Sequence, residues 1–185
     1  AIYDMSRNTS IIVTYCMDYD RCPFLTQEGK CMIYDKKRAY VCRMYPFQRS
    51  PFLKVEQPAI PETILGTCPV TDKILREMPK EFNEMIKFFY KYFKTDGAFY
   101  NIVQNDLIIE WMNKTIVELC KNKTIRPASN YPYKYLIKRI ENSRKIVLTE
   151  FLVQEKIYTK QQMDEMLRRF DQNLDAKEKI ENYLK

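Results

Sequence analysis

FNEMIKFFYKYF, residues 82–93, sets the character of the chain. Phe82, Met85, Ile86, Phe89 and Phe93 recur at steps of three and four, the spacing that lines one face of a helix and gives it something to bury. Pro79 suits the first turn of that helix, where its missing N–H leaves no bond unmade. Lys94-Thr-Asp-Gly97 ends it, and Thr71 is placed to cap a shorter helix ahead of it.

The same period continues downstream. A helix is expected from Asn105 to about Asn122, with Ile109, Met112, Ile116 and Leu119 as its buried stripe and Cys120 beside the stripe as a small core hydrophobe. Asn130-Tyr-Pro-Tyr133 opens another, running through Leu136, Ile137 and Ile140 and breaking near Asn142 before the apolar run of residues 146–153. Thr159 with Gln162 forms a capping box ahead of Met163, Met166, Leu167 and Phe170, and Asp175 with Glu178 repeats the device ahead of a last helix ending at Leu184. Residues 71–185 therefore read as an α-helical domain, without internal repeats or low-complexity tracts.

Residues 1–70 read differently. Thr9 to Thr14 form a β-branched run suited to a short strand. Beyond it regular signals are few, and Pro46, Pro51, Pro58 and Pro61 break up any continuous element. The expected fold class is mostly α: a loop-rich, cysteine-bearing metal-binding segment at residues 1–70, followed by the helical body.

Composition excludes several chemistries. The 185 residues contain no histidine, so Ser-His-Asp and Cys-His catalysis, HExxH zinc sites and two-histidine iron sites have no residues to build them. Only three glycines are present, and neither GxGxxG nor GxxxxGK[ST] occurs, which argues against dinucleotide and P-loop sites. A formal charge of +7 suits an acidic partner such as nucleic acid. Tyr131, Tyr133 and Tyr135 interleave with Lys134 and Lys138, a pattern able to stack bases and hold phosphates, as well as to pack a helix with a basic rim. No apolar run reaches the ~18 residues of a membrane span, and the first residues lack a signal-peptide pattern, so a cytoplasmic location is expected.

Five of the six cysteines fall within the first 68 residues. In a reducing compartment such thiols serve as ligands, catalysts or core residues rather than disulfides. Cys16, Cys22, Cys31, Cys42 and Cys68 are widely spaced, and no CxxC knuckle is present, so the spacing is not that of an ordinary zinc ribbon. Pro23, Gly29 and Pro46 mark turns beside three of these thiols.

Cys22-Pro-Phe-Leu25, Gly29-Lys-Cys31-Met-Ile-Tyr34 and Cys42-Arg-Met-Tyr-Pro46, with Gly66-Thr-Cys68-Pro69 further on, resemble the YkgJ-type cysteine-cluster family, described as zinc- or iron-chelating. The similarity covers roughly residues 16–70. It implies a metal centre held by Cys22, Cys31, Cys42 and Cys68. Where the family carries a run of cysteines upstream, this chain has Cys16, a further candidate ligand. Flagellin lysine methylases share a related segment, which links the resemblance loosely to methyl transfer. Four thiolates suit zinc or an iron–sulfur cluster, and a [4Fe–4S] cube, being larger than one ion, accommodates scattered cysteines with less backbone strain. Lys30, Lys36, Lys37, Arg38 and Arg43 lie near the thiols in sequence, and Arg43, next to Cys42, is the best placed to offset sulfur charge. No cysteine pattern of a radical enzyme is present, and no reaction is assigned.

Two functional expectations follow. The first is a metal-binding accessory, redox or assembly protein that docks a protein partner through its helical body. The second is a basic nucleic-acid-binding protein in which any metal is purely structural.

Overall fold

The computed structural model describes residues 1–14, 22–34, 40–43, 71–93, 97–128 and 131–185. Helices dominate the described residues, accompanied by one small three-stranded sheet. The mostly α class is as expected from the 3.6-residue periodicity. The described chain forms two compact units, one of residues 1–18 and 111–168, the other of residues 19–110 and 169–185. The expected boundary at residue 70 closes a stretch, residues 44–70, that lies outside the described residues.

In the first unit, strands β1 (Ile2–Asp4) and β2 (Thr9–Ile12) pair antiparallel, with Ile2 opposite Ile11 and Asp4 opposite Thr9. Asn8 turns the corner at φ +49°, a conformation that asparagine tolerates better than most residues, and its side-chain oxygen accepts a 2.7 Å bond from the Tyr3 hydroxyl. Strand β3 (Arg144–Val147) adds to β2 in parallel, Ile11 lying opposite Ile146. A sheet this small is not stable alone. It is held by a core of Ile11, Leu119, Ile125, Ile146, Leu148, Phe151, Leu152 and Met163.

In the second unit, α2 (Thr71–Glu77), α3 (Phe82–Phe93) and the first part of α4 (Ala98–Lys121) meet the C-terminal helix, here α8 (Leu174–Leu184). The four-residue α1 (Tyr40–Arg43) precedes them in the chain. Met85, Ile86, Phe89 and Phe93 of α3 are buried, as their spacing required, while Phe82 is exposed at the helix start. Phe89 sits 5.8 Å from Phe99 and 6.2 Å from Phe93, ring centre to ring centre, so three aromatic side chains fill one volume. Ala176 and Ile180 of α8 close the same core.

Several boundaries differ from expectation, each for a physical reason. Helix α3 begins at Phe82 rather than near Pro79, because the Glu81 carbonyl accepts its first helical bond, from Met85 N–H at 2.8 Å. Helix α4 starts seven residues before Asn105. It belongs to both units, burying Ala98, Phe99 and Val103 in one core and Leu119 in the other. Two cores leave no single stripe, and Ile109, Met112 and Ile116 are only half-buried. Cys120 is half-buried against the sheet-bearing core, close to its expected role. The break near Asn142, which closes α5 (Tyr133–Asn142), leads into β3 before α6 (Leu148–Gln154) begins.

Two helix ends among the described residues close without glycine. Lys123 and Lys156 adopt left-handed φ values of +56° and +57° just beyond α4 and α6. In each case this residue donates to the carbonyl three before it, and the next donates to the carbonyl five before: Lys123 to Cys120 and Thr124 to Leu119, Lys156 to Val153 and Ile157 to Leu152. These are Schellman endings with lysine where glycine is usual.

Helix α7 (Lys160–Asp171) opens on the expected capping box, with Gln162 N–H donating to Thr159 Oγ1 at 3.2 Å and Thr159 N–H to Gln162 Oε1 at 2.9 Å. The box expected at Asp175 and Glu178 does not form. Asn173 precedes α8 at φ +54° without a side-chain cap. Instead the buried Gln104 accepts the Ala176 N–H at 3.1 Å and donates to Asp175 at 3.2 Å. Arg169 takes both carboxylates, at 2.6 Å for Asp175 and 3.0 Å for Glu178. A side chain distant in sequence thus satisfies the helix terminus.

Candidate functional site

Residues 22–34 form a tight hairpin. Leu25 bridges Cys31 across it, and the Met32 N–H donates to the Phe24 carbonyl at 2.8 Å. At the tip, Thr26 N–H donates to the Lys30 carbonyl at 2.8 Å, and the Lys30 N–H returns a bond to the Thr26 hydroxyl at 3.1 Å. Gly29 sits at φ +80°, left-handed backbone that a side chain would strain. Glu28 borders the tip, and the Thr26 hydroxyl followed by its own N–H holds its carboxyl below the usual carboxylate range.

Each cysteine of the hairpin opens a turn. The Cys22 carbonyl accepts Leu25 N–H at 3.2 Å, and the Cys31 carbonyl accepts Tyr34 N–H at 3.3 Å. Cys22 is exposed, Cys31 half-buried, and neither is in a disulfide. Cys42 is exposed on α1, beside the half-buried Arg43. Cys16 and Cys68 lie outside the described residues, as do Lys36, Lys37 and Arg38. Among the described residues no three cysteine, aspartate or glutamate side chains are grouped to share a metal ion, so Cys22, Cys31 and Cys42 do not by themselves make a three-ligand site.

The remaining candidates separate cleanly. Asp18 and Asp20 lie outside the described residues. Glu77, Glu81 and Glu84 are exposed, and Glu84 pairs with Lys87 at 2.8 Å, as expected of solvated helix charges. Between α6 and α7 a recess of about 310 Å³ is lined by Glu150, Gln154, Lys160 and Met163 among others. Lys160 there is held by Asp164 at 2.8 Å, a bond that raises its pKa, so it is no free base.

Helix α5 is different from the other amphipathic helices, because none of its residues is buried. Tyr131 stacks on Tyr135 at 5.1 Å with the rings 19° from parallel. Arg139 lies over the Tyr135 ring at 5.0 Å and donates Nε–H to its hydroxyl at 2.8 Å, which raises the Arg139 pKa. Tyr135, Lys138, Arg139 and Asn142 line a groove of about 290 Å³. The alternating tyrosines and lysines were visible in sequence. Arg139 and Asn142 were not singled out there, although the four-residue steps from Tyr131 to Tyr135 to Arg139 and from Lys138 to Asn142 carry the signal.

No helix among the described residues is long and apolar enough to cross a membrane. Comparison of the chain with family models, with curated proteins and with solved structures gives no match.

Proposed function

We propose that the chain is a metal-binding protein in which Cys22, Cys31, Cys42 and Cys68, with Cys16 as a further candidate, hold an iron–sulfur cluster of the [4Fe–4S] type or a zinc ion. Its role is that of an accessory, redox or assembly component that docks a protein partner through its helices. The observation that carries this reading is the hairpin of residues 22–34. Its backbone bonds are closed on themselves, and its two cysteines, Cys22 exposed and Cys31 half-buried, stand at the heads of turns.

The donor chemistry fits. A chain without histidine but with several thiols in a cationic stretch offers soft sulfur ligands, which select zinc or iron–sulfur clusters over hard cations. When bound, such a centre would supply cross-linking, on the order of 10 kcal/mol for structural zinc, and, if a cluster, one-electron redox capacity. Cys22 and Cys31 lie on one hairpin closed by its own backbone bonds, which supports reading both as ligands of one centre. The resemblance of residues 16–70 to the YkgJ-type family points the same way.

Anaerobic purification of the full chain, followed by metal analysis and absorption spectroscopy, tests this. Bound iron with broad absorbance near ~400 nm identifies a cluster, and stoichiometric zinc without colour identifies the alternative. Cys22→Ser with Cys31→Ser is expected to abolish the metal. Protein with neither iron nor zinc near one equivalent per site refutes the reading.

A further inference from the structure

We infer that the exposed side of α5 is a binding surface for single-stranded nucleic acid, independently of whether the thiols hold a metal. Stepped at 100° per residue, Tyr135, Arg139, Lys134, Lys138 and Asn142 fall on one arc of the helix, while the half-buried Leu136 and Ile140 point to the other side. Two rows run along this arc. One is planar, with Tyr131 stacked on Tyr135 and the Arg139 guanidinium over the same ring. The other is cationic, with Lys134 and Lys138 one turn apart, both exposed and neither ion-paired among the described residues. The groove lined by Tyr135, Lys138, Arg139 and Asn142 lies between the rows.

Charge and shape agree on the ligand. Residues 131–145 carry five cations, Lys134, Lys138, Arg139, Arg144 and Lys145, against the single carboxylate of Glu141. A groove of about 290 Å³ lies just below the ~300–1,000 Å³ range of ligand pockets, small enough to take part of a strand and not a large compact ligand. Base-on-aromatic stacking beside a row of backbone-tracking cations is how single strands are held without sequence preference. The planar groups already hold one another, so little side-chain freedom is lost when a base joins them. A membrane surface fits less well. Helices that lie in lipid present a Leu-, Phe- or Trp-rich wedge, whereas Ile137 is the one exposed aliphatic side chain of α5.

The test uses the full chain with fluorescein-labelled single-stranded DNA and RNA of about a dozen nucleotides, within the ~4–16-nucleotide footprint of such sites, read by fluorescence anisotropy over a salt series. Vesicles of phosphatidylserine and phosphatidylcholine serve as the competing surface. Oligonucleotide binding should weaken with salt. Lys134→Gln with Lys138→Gln should lower affinity about tenfold and reduce the slope of log K against log salt by about 1.4, since each phosphate contact on a single strand contributes about 0.7. Tyr131→Ala should weaken binding about tenfold at unchanged slope, and Tyr131→Phe should restore it. All these positions are exposed, and an unchanged melting temperature will show that the variants are folded. Failure to bind the oligonucleotides, variants that bind like the parent, or binding to vesicles alone would overturn the inference.

Discussion

Replacing Asp4 offers the sharpest measurement of how the sheet-bearing unit is held together. Asp4 is 0% exposed at the end of β1. Its Oδ1 accepts Ser6 N–H at 3.1 Å, the Ser6 hydroxyl at 2.8 Å and Arg126 N–H at 3.0 Å, while Oδ2 accepts Arg7 at 2.9 Å. Arg7 in turn reaches Glu155 at 2.8 Å, the Thr124 carbonyl and the face of Phe151. One carboxylate therefore ties the β1–β2 turn to the segment after α4. Asp4→Ala removes the acceptor of four hydrogen bonds. Breaking a buried pair costs about 3–5 kcal/mol, but Arg7 is partly exposed and keeps Glu155, which lowers the expected loss to about 2–4 kcal/mol.

The pH dependence has a defined sign. Burial acts to raise the Asp4 pKa, and the bonds from Arg126, Arg7 and Ser6 outweigh it, holding the carboxyl below the usual carboxylate range. A lowered carboxylate pKa contributes stability that is present above the unfolded pKa and is lost as pH falls through the folded one. Trp111, the only tryptophan, packs against the core of this unit, so its fluorescence during urea unfolding is the appropriate signal. Wild type should exceed Asp4→Ala by about 2–4 kcal/mol at neutral pH, and the gap should narrow as pH falls through and below the ordinary carboxylate range. A gap below about 0.5 kcal/mol at neutral pH, or one that is the same in acid, refutes the reasoning.

Two further stability predictions follow from packing and backbone geometry. Phe89→Ala empties the centre of the aromatic core and should cost about 3–5 kcal/mol, whereas Tyr92→Ala, at a side chain 52% exposed, should cost less than about 1 kcal/mol in the same thermal melts. Lys156→Gly relieves the left-handed strain at the end of α6, which the added freedom of the unfolded chain partly offsets. A net gain of about 0.5–1 kcal/mol in urea unfolding is expected, and a loss would show that the lysine is not strained there.

Local chemistry was largely legible before any coordinates. The face of α3, the strand at residues 9–12, the capping box at Thr159 and Gln162 and the turn around Gly29 each depend on residues within a few positions of one another. Spacing and side-chain type are then sufficient. The absence of histidine is likewise read from the sequence, and it leaves thiolates and carboxylates as the side chains able to hold a metal. Of the stripe expected on α7, by contrast, only Met163 is buried and Leu167 is exposed.

Tertiary structure decided what depends on distant partners. Arg144–Val147 becomes a strand because β2, 135 residues earlier, offers a free parallel edge, and nothing local announces that pairing. Gln104 and Arg169, rather than the local Asp175 and Glu178 pair alone, organise the start of α8, because a buried amide already meets the helix end there. Helix α4 serves two cores, which blurs the stripe by which a helix is read. Whether α5 would turn its tyrosines inward or outward also escaped the sequence. Tyrosine has an apolar ring and a polar hydroxyl, is at home on either side, and only the packing of the rest of the unit left this face to solvent.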